Sequence, residues 1–471
     1  MAISRYTEFE VRTDGHQDNG AGFAPISGAT KTTTDNYTYG PSYAVYSGTN
    51  LTLDSSDATL ALPDGYAPQT ADIGHLIRIS NNPSGWSVNG GGYYQIVAIQ
   101  SGKWKLDRAP GSAGASGGAW RLGGATNYFA MPGACASQLA STPSGSNELT
   151  PIIWVRSGTY TQSGTSANAQ GGYLDGSGSV NSFHLIGYSA SRGDGGYATI
   201  NTSSASIGPV RYVVSAQNIR FYSTSGTTWY GAYNVRSVHR CYFENFSSSS
   251  NPSMGVSNAY TVSFCEAVNC YYGFYACQSL LHCVAHTCTI GFVFDSDESQ
   301  RRVMSECVAH RCTTGFGHPA GNYTVPSLYR CHAIYCTTGF DVPAYPTSVS
   351  TLGLLHWADC SASNCTTAIV MNQQAQRTIC APFYHYSCGT LKSGETSTNK
   401  FFSEQFVALS ANPFPGAGSS TPYSSSNYTP KFVGNLANYG AIVNKSWPFG
   451  LFFFDATIFS EPLNMRGGFP G

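Results

Sequence analysis

CVAHRCTTGF at residues 307–316 and CHAIYCTTGF at 331–340 are two copies of one ten-residue phrase, Cys-x-Ala-x-x-Cys-x-x-Gly-Phe. Two earlier copies run through Cys265, Ala267, Cys270, Gly273 and Phe274, and through Cys283, Ala285, Cys288, Gly291 and Phe292. A decayed copy closes the series at Cys360, Ala362, Cys365, Ala368 and Ile369. Successive copies start 18, 24, 24 and 29 residues apart, so the phrase is kept while the spacer changes length. That pattern predicts a solenoid whose coils stack like on like and whose loops vary on one side.

Fifteen cysteines in the chain raise disulfide, metal and core readings. The five-residue step between paired Cys does not match a CxxC redox motif or a zinc knuckle, and no His or acid recurs at a fixed offset, so neither metal nor cofactor is expected. The N-terminus lacks a basic stretch leading into an apolar one, which predicts no secretory signal and synthesis in a reducing cytosol. Free Cys packs as a small hydrophobe. The ten Cys of the phrase (Cys265, Cys270, Cys283, Cys288, Cys307, Cys312, Cys331, Cys336, Cys360 and Cys365) are therefore read as two inward columns of thiols, a structural core ladder. The Gly of each phrase is expected at a tight bend with positive φ, with the Phe after it stacking inward.

Charged residues make up only 10% of the 471, while Gly, Tyr and Phe number 52, 31 and 25. This composition reads as all-β with many turns. A net charge of −1, without Lys or Arg runs, argues against nucleic acid and anionic membrane as partners. The most apolar run, Pro448 to Phe454, is too short to span a bilayer, so a soluble protein is expected.

Residues 1–125 lack the phrase and contain short alternating strands around His75, Tyr93 and Lys103, predicting a small β-rich N-terminal region, a sandwich or barrel. Within 126–148, the stretch Thr126 to Ser141 is the one candidate helix, placed as a cap over the end coil. The solenoid is assigned to 149–395, opening at Pro151 and built from short parallel strands around a triangular core. Residues 396–471 are aromatic and rich in Gly, Ser and Pro, and are expected to cover the last coil or to form a subunit interface.

The phrases FEVRTDG from Phe9, DNGAGF from Asp18, IWVRSGTY from Ile153 and HLIGYSASRGDGG from His184 carry a resemblance. The chain resembles right-handed parallel β-helix proteins of the pectate-lyase-like superfamily, and more narrowly the β-helix structural proteins of tailed bacteriophages. The fold class expected is thus all-β: a right-handed parallel β-helix solenoid with a small N-terminal β region and a short capping helix. The resemblance implies a virion component made in the host cytoplasm, commonly a homotrimer, whose partners are itself, other virion proteins and a host surface glycan.

Enzymes that resemble this fold cleave polysaccharides with carboxylates on the helix face. The candidates here are Asp295, Asp297 and Glu298 in a spacer, where an Asp-x-Asp step on a strand puts two carboxylates on one face. A solvated loop pairing with Arg301 and Arg302 is the favoured reading, so no catalytic residue is assigned. Arg192-Gly-Asp194 is read as a turn whose Asp bonds the backbone. His286 and His310 share one repeat position and are expected to stack without a metal, while His282 lies apart from them. The function expected is a non-enzymatic virion structural protein, decorating a capsid or forming a spike or fibre. The alternative is a tailspike-like glycan hydrolase or lyase, or a glycan-binding module on the same fold.

Overall fold

A computed structural model of the protein describes residues 8–16, 19, 22–23, 46–80, 84–86, 92–138, 151–169, 171–176, 183–190, 192–203, 207–249, 252–293, 302–318, 327–342, 355–371, 378–380, 382–394, 401–403 and 406–409. The chain divides into units Met1–Ala408 and Leu409–Gly471, and the second lies outside the described residues apart from Leu409. The role expected for 396–471 beyond that point is therefore not addressed by the fold.

Short strands alternate among three sheets, here A, B and C, which among the described residues hold thirteen, eleven and ten strands. From Ile152–Arg156 onward, neighbouring strands within each sheet are parallel and three positions apart in the chain, the topology of a parallel β-helix. Crossover connections between parallel strands of one sheet are right-handed. Only the outermost pair of sheet A, Gly22–Phe23 against Glu8–Val11, is antiparallel.

The register brings one inward side chain per strand into continuous columns. In sheet A the column runs from Phe9 and Ile153 through Val238, Val262 and Leu280 to Trp357, all essentially buried. Sheet B carries Phe221 and Phe243, then Ala267, Ala285, Ala309, Ala333 and Ala362. Sheet C carries Ala232 and Val256, then Phe274, Phe292, Phe316 and Phe340. The large ring thus changes sides between Phe243 and Phe274, and a small residue faces it on either side of the change. Phe221 and Phe243 stack at 5.1 Å between centroids, and the sheet C rings stack at 5.1, 4.8 and 4.9 Å with planes within 10° of parallel. The sheet C column then passes through Ile369 to Lys392, and the sheet B column passes through His385 to Ala408.

The repeat glycines correct an expectation. Gly273, Gly291, Gly315 and Gly339 do not have positive φ. They are needed for space: a Cβ on Gly315 would lie 2.6 Å from the Gly339 carbonyl oxygen and 3.1 Å from the Ala309 Cβ. The left-handed residue is instead the one just before each ladder Cys, including Asn269, Thr287, Arg311 and Tyr335 in one column and Phe264, His282, Glu306 and Arg330 in the other. Such a conformation costs about 1–2 kcal/mol for a residue with a Cβ. An amide at each bend offsets it by donating to the next coil, as from Thr287 to the His310 carbonyl at 3.0 Å and from Arg311 to Ile334 at 2.9 Å. The bend turns the following Cys inward. All ten phrase cysteines are buried free thiols. Each thiol finds carbonyl acceptors; Cys288 Sγ lies 3.6 Å from the Ala267 oxygen and 3.5 Å from that of His286.

Residues Tyr46–Leu53, Leu60–Leu62, Leu76–Ile79, Gly92–Gln100, Lys103–Leu106 and Gly118–Leu122 form a closed barrel. Its centre holds Trp104 and Trp120 edge to face at 5.1 Å, with buried Asp72 accepting from the Trp104 indole at 2.7 Å. Helix α1, Met131–Gln138, brings Met131 and Cys135 into the solenoid's core cluster together with Leu76 and Tyr93 of the barrel. The boundaries differ from those expected at both ends. Strand Glu8–Val11 precedes the barrel in sequence, yet it pairs with Ile152–Arg156 as part of sheet A, and Phe406–Ala408 extends sheet B beyond residue 395. A lone three- or four-residue alternating strand carries no mark of the sheet it will join.

Two core substitutions separate crowding from loss of filling. Phe316→Ala is expected to cost about 3–5 kcal/mol by opening the ring stack. Gly315→Ala should cost about 1–3 kcal/mol by overpacking, with the exposed Thr313→Ala within roughly 0.5 kcal/mol of the parent as the control. Denaturant melts of the three variants check the order.

Candidate functional site

The candidate acids Asp295, Asp297 and Glu298 fall in 294–301, outside the described residues; Arg302, just after them, is buried. The other acids singled out are brought into definite networks. Asp194 accepts from the backbone amides of Ser189, Ala190 and Gly196 at 2.7–2.9 Å and so holds its own turn. That turn aims Arg192 at the N-terminal strand. The guanidinium lies 2.5 Å from Glu8 Oε2 and its Nε donates to Glu10 at 3.0 Å. The Trp154 indole donates to Glu8 at 3.1 Å and the Tyr188 hydroxyl donates to Glu10. Burial raises the Glu10 pKa, and Arg192 opposes that shift. With the Glu8, Glu10 and Arg192 side chains at 14%, 10% and 10% exposure, the network is a clamp across more than 180 residues of sequence rather than an open site.

A second pair of acids lies on the outer face of sheet B, on strands Tyr242–Glu244 and Glu266–Val268. Alternation turns Phe243 and Ala267 inward, which places Tyr242, Glu244 and Glu266 outward. Tyr242 pairs directly with Glu266 and Glu244 with Val268, so the two glutamates are diagonal neighbours with Cα atoms about 8 Å apart. Their environments differ. Glu244 is ion-paired with Arg220, whose guanidinium also lies 5.2 Å from the Tyr242 ring centre. Burial, reinforced by the negative charge of Glu244, pushes the Glu266 pKa up to about 7. One carboxyl therefore holds a proton near neutrality beside another that is ion-paired with Arg220. This division suits proton donation or hydrogen bonding to a hydroxyl-rich ligand.

His286 and His310 pair in register on the same sheet, with ring centres 4.8 Å apart. Burial, with His286 and Arg311 nearby, lowers the His310 pKa to about 3, so the ring stays neutral. His282 lies away from them, 3.0 Å from Glu306 and stacked on Phe264 at 4.9 Å. Among the described residues, no group of three or more His, Cys, Asp or Glu is placed to hold a metal ion, and no helix is long and apolar enough to cross a membrane.

No family model and no curated protein matches the sequence. Among solved structures the chain is similar to the pectin methylesterase of Aspergillus niger, at 13% identity over 60% of this chain and 84% of that one, with a TM-score of 0.24. It is also similar to the tailspike protein of a Pseudomonas phage, at 11% identity over 78% of this chain and 59% of that one, with a TM-score of 0.19.

The sequence reading missed both glutamate pairs. Glu8-Phe-Glu10 is an acid-x-acid step on a strand and was legible by the rule applied to Asp295 and Asp297. The Glu244–Glu266 pair spans two strands, and its signal is the register between coils.

Arg192→Ala is expected to cost about 3–5 kcal/mol in thermal or denaturant unfolding, because it leaves two shielded carboxylates uncompensated. Glu266 sets a pH dependence of the opposite sign to an ordinary ion-paired acid. Its folded pKa is raised from 4.5 to about 7, so its contribution favours the folded state at low pH and is lost as pH rises through that window. Melting curves should show Glu266→Gln gaining on the parent as pH is raised from 4.5 towards 7.

Proposed function

We propose that the protein is a structural component of a tailed-phage particle, a rigid β-helix that docks against neighbouring subunits. The observation that supports this reading most is the outer face of sheet A. From Ser215 and Gln217 through Ser237, His239, Thr261, Ser263, Ser279, Leu281, Val303, Ser305 and Ser327 to Tyr329, its outward positions carry no Asp, Glu, Lys or Arg. Leu281 and Val303 are 37% and 38% exposed, and Tyr260 and Phe264 beside them are 56% and 50% exposed. Charged Arg240, Glu306 and Arg330 lie along the margin, at the bends. A charge-free centre with exposed aromatics and a charged rim is the composition of a protein interface. The resemblance to phage β-helix proteins adds the setting, and self-association, commonly as a homotrimer, belongs to the same reading.

A second reading rests on Glu244 and Glu266. With Arg220 and Tyr242 they offer a proton donor, a carboxylate and an aromatic ring on one face, which is chemistry for a glycan. In this reading the face binds or cleaves a host surface polysaccharide.

The readings separate in one set of measurements. The first expects the purified full chain to sediment as an oligomer at micromolar concentration and to accompany virions, with Leu281→Arg shifting it towards monomer. A monomeric parent would remove the docking role. New reducing ends from host polysaccharide, lost in Glu266→Gln, would establish the second.

A further inference from the structure

The second thiol column of the phrase does not stop at Cys365. Cys388 occupies the same position one coil on: Ser387 before it has the left-handed bend, with φ of 49°, as Asn364 does before Cys365. The two coils are bonded on both sides of the pair, by the Asn364 amide to the Tyr386 carbonyl at 2.8 Å and by the Gly389 amide to the Cys365 carbonyl at 3.0 Å. Their thiols repeat the same local arrangement. Cys365 Sγ lies 3.5 Å from the Ala333 oxygen and 3.6 Å from that of Ser363; Cys388 Sγ lies 3.5 Å from Ala362 and 3.6 Å from Tyr386. The two side chains are also in mutual hydrogen-bond contact.

In-register positions on neighbouring parallel strands are about 4.8 Å apart. That is inside the Cα separation of roughly 4.4–6.8 Å that a disulfide spans. Geometry alone would allow such a bond at many rungs, so access decides which can form. Of the fourteen cysteines whose side chains are described, thirteen are buried and Cys388 alone is partly exposed. It is also the last cysteine in the sequence. An external reagent therefore meets the column at Cys388 first, with Cys365 directly beneath.

We propose that Cys388 and Cys365 form a thiol–disulfide exchange site that takes a small external disulfide and becomes a covalent staple between the last two rungs. The Cys388 thiolate attacks one sulfur of the external disulfide, forming a mixed disulfide and releasing one thiolate. Cys365 then loses its proton and attacks the Cys388 sulfur, forming the intercoil bond and expelling the second thiolate. Overall, two protein thiols are oxidised to one disulfide while one external disulfide is reduced to two thiols. The hydrogen bond to Cys365 and burial hold Cys388 in the protonated form, and the hydrogen bond to Cys336 and burial do the same for Cys365, so the exchange is slow at neutral pH and quickens as pH rises. The inner rungs remain thiols. The staple links the two coils at the last cysteine pair of the column.

Oxidised glutathione added to the full chain at mildly alkaline pH tests this, read by intact mass and by mapping of linked peptides. The expected sequence is a glutathione adduct at Cys388, then its disappearance with loss of two hydrogens and a Cys365–Cys388 crosslink. Amide exchange at Gly389 and Thr390 should slow in the oxidised protein. Cys365→Ala should trap the adduct at Cys388, and alanine fits this kind of bend because Ala259 follows the left-handed Asn258 at another corner. A stable adduct in the parent, equal crosslinking at inner rungs, or no reaction at Cys388 while the unfolded chain reacts would each overturn the proposal. The position of the crosslink in the parent is decisive even if the variant does not fold.

Discussion

Each coil must fill a channel so narrow that a phenylalanine on one wall leaves room only for an alanine or valine on the wall opposite. Where Phe274, Phe292, Phe316 and Phe340 project from sheet C, sheet B offers the alanines from Ala267 to Ala333; where Phe221 and Phe243 project from sheet B, sheet C offers Ala232 and Val256. The glycines follow from the same limit, since coil walls approach too closely there for a Cβ. So do the cysteines. A corner needs a small, apolar side chain that can still bond to a carbonyl, and a thiol meets both demands. Uniform filling lets coils of different spacer length share one register.

Because the interior is so constrained, chemical variety is confined to the outer faces and the ends. Sheet A presents an uncharged surface from Ser215 to Tyr329, sheet B a pair of glutamates in contrasting surroundings, and the first strand a carboxylate clamp gripped by Arg192. The clamp also explains how a strand that precedes a whole barrel in sequence is held in the solenoid. Glu8–Val11 has few residues with which to secure itself, and Glu8 and Glu10 supply ionic contacts to Arg192 in a distant turn.

Much of this was legible from residues alone. The phrase placed Cys and Phe inward, because a repeat reveals which positions recur in equivalent surroundings. The phrase could not show how Gly is used. A glycine demanded by crowding and one demanded by a left-handed bend look the same in sequence, and here Asn269, Thr287, Arg311 and Tyr335 make the bends. No common residue type marks that position, since the bend is enforced by hydrogen bonds between coils. The surface sites were hidden for a related reason. Glu244 and Glu266 are 22 residues apart and become neighbours only through the pairing of Tyr242 with Glu266.

The inward column of sheet C runs from Phe340 to Ile369 and then to Lys392. Charge at a core-facing register position is one way proteins discourage continued strand pairing. At Lys392 the column therefore gives up its apolar filling: a half-buried side chain with a charged head stands in register with Ile369, so the stack of rings from Phe274 to Phe340 is not continued on this rung.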